Sequence, residues 1–391
     1  MPKTKTIDLG ELSFYWRMAD KHGAPASAPM FLPFAFGFDA RTGLITQEPN
    51  VRVLGALRRT YLEDHNIGYL QEGHALADKY GQDFLGFIQR MLAESGRPVT
   101  SVMDVGCGGC YILNALKDQG FAVFGIDPSP VAARWGRQIG IPIATGFYPV
   151  THGFGKMDVV LSSGVLEHVP DPVTFLRGHR EDLAPGGHII ISTPDSAPSI
   201  ELGDPSMILH EHISYFDEDS LRRVVTEAGY EVLTVGFASY GQSLYCFARP
   251  LETRAGPSLA SDDQGAWDKF ERFSERLGWS LEAFAQQVRP LVNDRSVNLG
   301  FYVPLRALPY LSILKVFDGI RFFDDDPGVH GKYFDGFDVP VENFQDLQAR
   351  PVTHMIIMSL PHAPAIAKKT RIHFGDRMSI RTLAEIIAGP D

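Results

Sequence analysis

The run from Val102 to Pro130, VMDVGCGGCYILNALKDQGFAVFGIDPSP, constrains the fold more than any other part of the chain. Apolar Val102, Met103 and Val105 lead into a glycine-rich turn, Gly106-Cys107-Gly108-Gly109. A helical pattern follows, with Ile112, Leu113 and Leu116 on one face, and Gly120 ends it. A second apolar run, Phe121 to Ile126, stops at Asp127. This predicts a β-α-β unit with the glycine turn between first strand and helix, and an α/β fold class. Glycines in that turn let the backbone approach a ligand closely. The helix start adds free N–H groups. Asp127 falls at the tip of the second strand, where a carboxylate can accept both hydroxyls of a ribose.

The dinucleotide fingerprint G-x-G-x-x-G fails, because Tyr111 sits where the third glycine belongs. That disfavours a nicotinamide oxidoreductase. The D-x-G-x-G string (Asp104, Gly106, Gly108) with Asp127 ending the next strand instead resembles motif I of class I S-adenosylmethionine-dependent methyltransferases. The resemblance implies S-adenosylmethionine as cofactor, held by Asp104, Gly106, Cys107, Gly108, Asp127 and Pro128.

Composition narrows the setting. A chain of 391 residues suggests two to three domains at roughly 150 residues each. A net charge of −11 argues against non-specific binding to nucleic acid or anionic membrane. The three cysteines, Cys107, Cys110 and Cys246, rule out a disulfide framework and point to a reducing compartment. Cys107 and Cys110 form a C-x-x-C inside the glycine turn without a second pair, so they read as small residues lining the loop. The opening residues MPKTKTIDLGEL hold no apolar signal core, and no run is long enough to span a bilayer. A cytoplasmic monomer or homodimer is expected, with a small-molecule substrate.

In chain order, residues 1–60 read as short strands and turns, with two apolar runs around Asp39-Ala40-Arg41-Thr42-Gly43. Residues 51–95 look helical, from Val53 to Leu62 and from Phe84 to Leu92. Between them lie Tyr69, Glu72, His74 and Tyr80, and Tyr69 is a candidate substrate contact. Ile141 to Ala144 should form the third strand, and Gly146 and Phe147 after it should lie near the adenine. Met157 to Leu161 should be the fourth, followed by a loop with Ser163 on the ligand edge of the sheet. SSGVLEHVPDP resembles the signature after the fourth strand of many small-molecule methyltransferases. LAPGGHIIISTPD resembles the turn feeding their fifth strand, here His188 to Ser192. Phe216-Asp217-Glu218-Asp219-Ser220 should open a helix. EVLTVGFASYGQSLYCFARP should close a seven-stranded sheet as a hairpin with an antiparallel edge. A helix is expected from Trp267 to Val288, and a second α/β pattern from Val297.

HEHISYF, residues 210–216, resembles the E-H-x-S-Y-F motif of sugar C-methyltransferases that act on nucleotide-linked 4-keto deoxysugars. RFFDDDPGVHGKYFDGFDVPV is similar to a pattern in their C-terminal domain. The resemblance implies an α/β chain in four parts. These are an N-terminal domain over 1–80, a Rossmann-like methyltransferase domain over 81–250, a helical bridge over 251–296 and a Rossmann-like C-terminal domain over 297–391. The chain departs from that family at informative places. The two cysteine positions of its N-terminal zinc domain are Asp39 and Thr42 here. Only His22, His65 and His74 could ligate a metal between residues 1 and 95, so no metal is expected. Leu209 replaces a tyrosine, and Gly164 an asparagine.

Methylation at carbon needs a base to take a proton made acidic by a neighbouring ketone. The resemblance makes His212 the candidate base, Glu211 its orienting partner, His168 a second lining histidine, and Tyr215 a substrate-side residue. It implies a nucleotide-linked ketosugar as acceptor. O- or N-methylation of another small molecule uses the same groups, and a non-catalytic S-adenosylmethionine-binding protein is the third alternative.

Overall fold

The computed structural model describes residues 5–14, 18–19, 31–62, 75–252 and 264–388. Tyr69, Glu72, His74, His22 and His65 lie outside them.

The β-α-β unit forms as expected. Strand β1 (Ser101–Val105) enters the glycine turn, helix Tyr111–Asp118 follows, and β2 (Ala122–Asp127) runs parallel to β1. Ile112, Leu113 and Leu116 are buried, as their helical spacing demands. The sheet continues with β3 (Ile143–Thr145), β4 (Met157–Ser163), β5 (Leu183–Pro194), β6 (Tyr230–Phe237) and β7 (Ser243–Pro250). The strand order is β6-β7-β5-β4-β1-β2-β3.

Three expectations need correction. The antiparallel strand is not the edge: β7 is antiparallel to both β5 and β6 and lies between them. Burial explains the order. Leu244 to Ala248 of β7 are all buried, whereas β6 exposes Leu233 and Phe237. Only β6 tolerates the edge position. Strand β5 also begins at Leu183 rather than His188, because Ala-Pro-Gly-Gly is absorbed as an irregularity between the Met157 and Val159 pairings. And Ser162 and Ser163 belong to β4 rather than to the loop after it.

The N-terminal strands Ile7–Ser13, Phe31–Asp39 and Leu44–Gln47 form an antiparallel sheet. Its fourth strand is Ser214–Tyr215, from the HEHISYF string, paired with Thr46 and Ile45. At the hairpin between the second and third strands, Thr42 Oγ1 donates to Asp39 Oδ2 (2.7 Å) and Arg41 N donates to Asp39 Oδ1 (2.9 Å). A carboxylate-hydroxyl clasp thus closes this turn. Thr42→Val should lower unfolding free energy by about 0.5–1.5 kcal/mol, the net worth of one such bond, read from urea denaturation midpoints.

Helix α1 (Val51–Leu62) follows the N-terminal sheet, and α2 (Ala75–Glu94) packs against the seven-stranded sheet through Phe84, Phe87, Ile88 and Met91. The expected bridging helix is α3 (Gln264–Asn293). Its Phe270, Phe273 and Leu277 sit in one core with Phe34, Phe36 and Tyr215. Phe284 and Val288, further along, enter the C-terminal core. The second α/β pattern yields five parallel strands in the order Val341–Glu342, Ile320–Phe323, Leu299–Tyr302, His354–Ile357, Ser379–Thr382. Helix α4 (Pro304–Leu314) leaves the first of these in sequence and packs on the N-terminal sheet. No helix among the described residues is long and apolar enough to cross a membrane.

Candidate active site

The glycine turn is shaped for close approach. Gly106 has φ +84, and a Cβ there would fall 2.2 Å from Val165 Cγ2. Gly108 N donates to Asp127 Oδ2 and Ser129 N to Asp127 Oδ1, both at 2.8 Å. Each oxygen keeps a further acceptor position. Asp104 is 4% exposed and its Oδ1 has no hydrogen-bond partner. Burial, then the nearby Asp127, pushes its carboxyl up to about 7. A buried carboxyl without a donor, beside a second buried carboxyl, fits a cationic ligand that supplies both charge and N–H groups. Cys107 and Cys110 are buried free thiols, and hydrogen bonding between them with burial raises the Cys107 thiol well above its ordinary range. The Cys107 environment thus does not generate a thiolate.

Of the other residues expected on the donor side, Pro128 follows β2 and is half-buried. Gly146 N donates to the Asp127 carbonyl (3.1 Å), which ties the β3 loop to the β2 tip. Phe147 is 37% exposed, with the Arg58 guanidinium 5.1 Å from its ring centre. Ser163 ends β4 opposite Ser192, and Gly164 N donates to the Ser192 carbonyl.

Beyond the carboxyl ends of β4 and β5 lies a cluster of titratable groups. Glu167 and His168 occupy a single 3-10 turn (Leu166–His168) after β4. Glu211 and His212 arrive on the loop before Ser214. The loop is pinned at several points: Ile213 N donates to the Glu167 carbonyl (2.6 Å), Gln47 N to the Ile213 carbonyl (2.7 Å) and Gln47 Nε2 to the His210 carbonyl (3.2 Å). His168 Nδ1 donates to the Glu211 carbonyl (2.8 Å), which leaves Nε2 3.7 Å from Glu167 Oε1. The His168 and His212 rings are 5.1 Å apart. Glu167 Oε2 accepts from Thr193 Oγ1 (3.2 Å).

Electrostatics separates the two histidines. Burial opposes charge on His168, yet Glu167, Glu211 and the bond to the Glu211 carbonyl outweigh it and hold His168 above its usual value. His212 is held well below its usual value by burial, then by His168 and Arg306. Burial pushes Glu211 up to about 7, with His168 opposing and Glu167 adding to the shift. The Glu211 carboxyl thus acts on His168. Paired groups driven apart in this way are the usual arrangement of an acid and a base. The donor atoms of Glu167, His168 and His212 all lie within 4.8 Å of one another, close enough to share a cation. The field around His168 favours a proton in that place.

His210 is a core residue. Its Nε2 donates to the Leu32 carbonyl (3.0 Å), it packs against Phe14 and Phe34, and burial lowers it to about 4. Tyr215, expected on the substrate side, is 1% exposed with its ring 5.3 Å from Phe36. Strand pairing with Ile45 turns it into the apolar core, so it backs His212 from 6.4 Å.

Sequence reasoning passed over three residues. Tyr61, on α1, places its ring 6.3 Å from Phe147 and 6.2 Å from His168. Burial, then Glu211, Glu167 and Asp127, drives its hydroxyl far above its usual range, which locates it between donor site and histidines. It had been absorbed into the apolar spacing of its helix. Glu167 stood inside the quoted VLEHVPDP string, overshadowed by His168. Arg306, on α4, carries no signal in the sequence.

Residues 76–235, which contain this glycine turn and cluster, match a family profile described as a methyltransferase domain. This stretch is similar to a methyltransferase domain. The ubiquinone biosynthesis O-methyltransferase of Caulobacter sp. (strain K31) is 39% identical over 100 residues, 24% of this chain and 40% of its own length. The protein of the same name from Nitrosospira multiformis is 29% identical over 174 residues, 40% of this chain and 72% of its own. The chain thus spans about two-fifths of the length of the first of these relatives. Among solved structures, the 1,6-didemethyltoxoflavin-N1-methyltransferase of Burkholderia thailandensis is similar at 18% identity with a TM-score of 0.40, over 59% of this chain and 99% of its own.

The glycine turn carries a pH prediction. Without ligand, Asp104 is largely protonated below about 7. Its raised value means that ionisation disfavours the folded state, so this group costs stability as pH rises from the unfolded value toward 7. A cationic donor needs the carboxylate. Affinity for S-adenosylmethionine should therefore rise by up to about tenfold from pH 6 to pH 8, and Asp104→Asn should flatten that rise. Isothermal titration calorimetry across the range reads both.

Proposed function

We propose that this chain is a methyltransferase acting on a small molecule, with His212 accepting the acceptor's proton and His168 carrying a positive charge beside it. The observation that carries this reading is the juxtaposition of two histidines of opposite tendency, 5.1 Å apart, at the ligand edge of the sheet. The donor supplies an electrophilic methyl group. Asp127 and Asp104 would hold its polar ends, and the Gly106–Gly108 backbone would lie against it.

His212 is uncharged at neutral pH and free to take a proton. His168, a cation held by Glu167 and Glu211, would stabilise negative charge developing on an acceptor oxygen. Glu211, near neutrality, can take the proton onward. Tyr61 and the loop before Ser214 would wall the acceptor against water. We take the acceptor to be a nucleotide-linked ketosugar methylated at carbon, on the strength of the Glu211-His212-x-Ser214-Tyr215-Phe216 string and the C-terminal pattern. The four-part division at residues 80, 250 and 296 belongs to the same reading.

One observation favours O-methylation instead: the relatives named above are O-methyltransferases. Incubation of the pure protein with labelled S-adenosylmethionine and a panel of nucleotide ketosugars and phenols tests both. Label in an acid-stable C-methyl group supports the first reading; label in a methyl ether replaces it with the second.

A further inference from the structure

The C-terminal sheet lies outside the matched domain, yet its first helix reaches the proton-handling cluster. Helix α4 touches the chain segment that leads into Glu211 and His212 at two points. Arg306 Nη1 donates to the Ser206 carbonyl (3.0 Å). Tyr310 Oη donates to Asp204 Oδ1 (3.0 Å), a carboxylate with no exposed surface that also accepts from Ser206 N (2.8 Å) and Ser206 Oγ. The Arg306 charge acts on both Asp204 and His212.

We propose that Arg306 is a positioning residue of the active site: its guanidinium fixes the 204–212 segment from the C-terminal side and sets a permanent positive charge beside the His212 imidazole. The groups around that imidazole are Glu167 and His168 on the turn after β4, Glu211 on its own loop, Tyr61 on α1, Tyr215 on the strand behind it and Arg306 on α4. Two of them can carry a positive charge, His168 and Arg306. His168 can lose its proton, whereas a guanidinium does not. Arg306 thus adds a permanent charge to the burial that already holds His212 low. The C-terminal sheet thereby contributes to the site without touching the donor. The inference deepens the reading of His212 as proton acceptor, but the charge state is measurable apart from turnover.

The test uses the full chain with 15N-labelled histidine. Long-range proton–nitrogen spectra between pH 5 and 8 follow each imidazole, and His212→Gln identifies the signal. In the unaltered protein His212 should titrate below His168. In Arg306→Gln its midpoint should rise by about 0.5–1 pH unit, as expected for losing one charge several ångströms away. Arg306→Lys should restore the original midpoint, and His210 should not respond in either variant. A merely structural arginine would shift His210 and His212 together or neither. An unmoved His212 in a folded Arg306→Gln variant would overturn the proposal. If that variant does not fold, Arg306→Met, which keeps the side chain's length without its charge, takes its place: a raised His212 midpoint with His210 unmoved supports the proposal, and an unmoved His212 overturns it.

Discussion

His212→Asn should bind S-adenosylmethionine as tightly as the unaltered protein and turn over at least about a hundredfold more slowly, because removing a positioned base typically costs 10²–10⁴ in rate. Asparagine is smaller but keeps a hydrogen-bonding group, and the loop is held by Gln47 and Glu167 through backbone bonds that the change leaves in place. Calorimetry of donor binding and thermal unfolding establish that the loop survives. Glu211→Gln should fall less, since its backbone carbonyl still accepts from His168 and only the charge is lost. Turnover near the original value in His212→Asn would transfer the role to Glu211 or His168, or show that the acceptor gives up its proton unaided. This experiment and the nitrogen titration fail independently: one reads the step and the other the charge.

Asp127→Ala should weaken donor binding by about 1.5–3 kcal/mol, the worth of hydrogen bonds to a charged group, or roughly tenfold to a hundredfold and more in Kd. The carboxylate closes the tip of β2 by accepting from Gly108 N and Ser129 N. Its loss therefore also frees the turn that must face the ligand. Asp127→Asn separates the two effects. The amide still presents an oxygen, so the turn keeps one of its backbone bonds while the charge is gone. A donor affinity within threefold of the original in Asp127→Ala would remove Asp127 from the binding site.

How much of this was legible in the sequence depended on distance along the chain. The β-α-β unit and its glycine turn were readable because strand, turn and helix are local. Their periodicity and glycines are written consecutively from Val102 to Asp127. The swap of β6 and β7 was not, because edge and interior strands differ in which neighbours they meet. Only the exposed Leu233 and Phe237 hinted at it. His168 and His212 were found through strings resembling known motifs, but their opposed charge preferences come from Glu167, Glu211 and Arg306, which meet only in the folded chain. Tyr215 was misplaced for the same reason. Its partner Ile45 lies far back in the sequence, and pairing with it decides which way the ring points.

The strand Ser214–Tyr215 has a consequence for the order in which the molecule can be made. A sheet begun by residues 7–47 stays one strand short until synthesis has passed Tyr215. Through all of that interval the Leu44–Gln47 edge is open, and a bare edge invites foreign strands. The strand that shields it is also the one that carries Glu211 and His212 into place. Assembly of the cluster and protection of the nascent chain are therefore a single event, possible only once more than half of the chain is made, and a fragment cut to the matched stretch 76–235 would possess the donor turn without the sheet that holds its histidine loop.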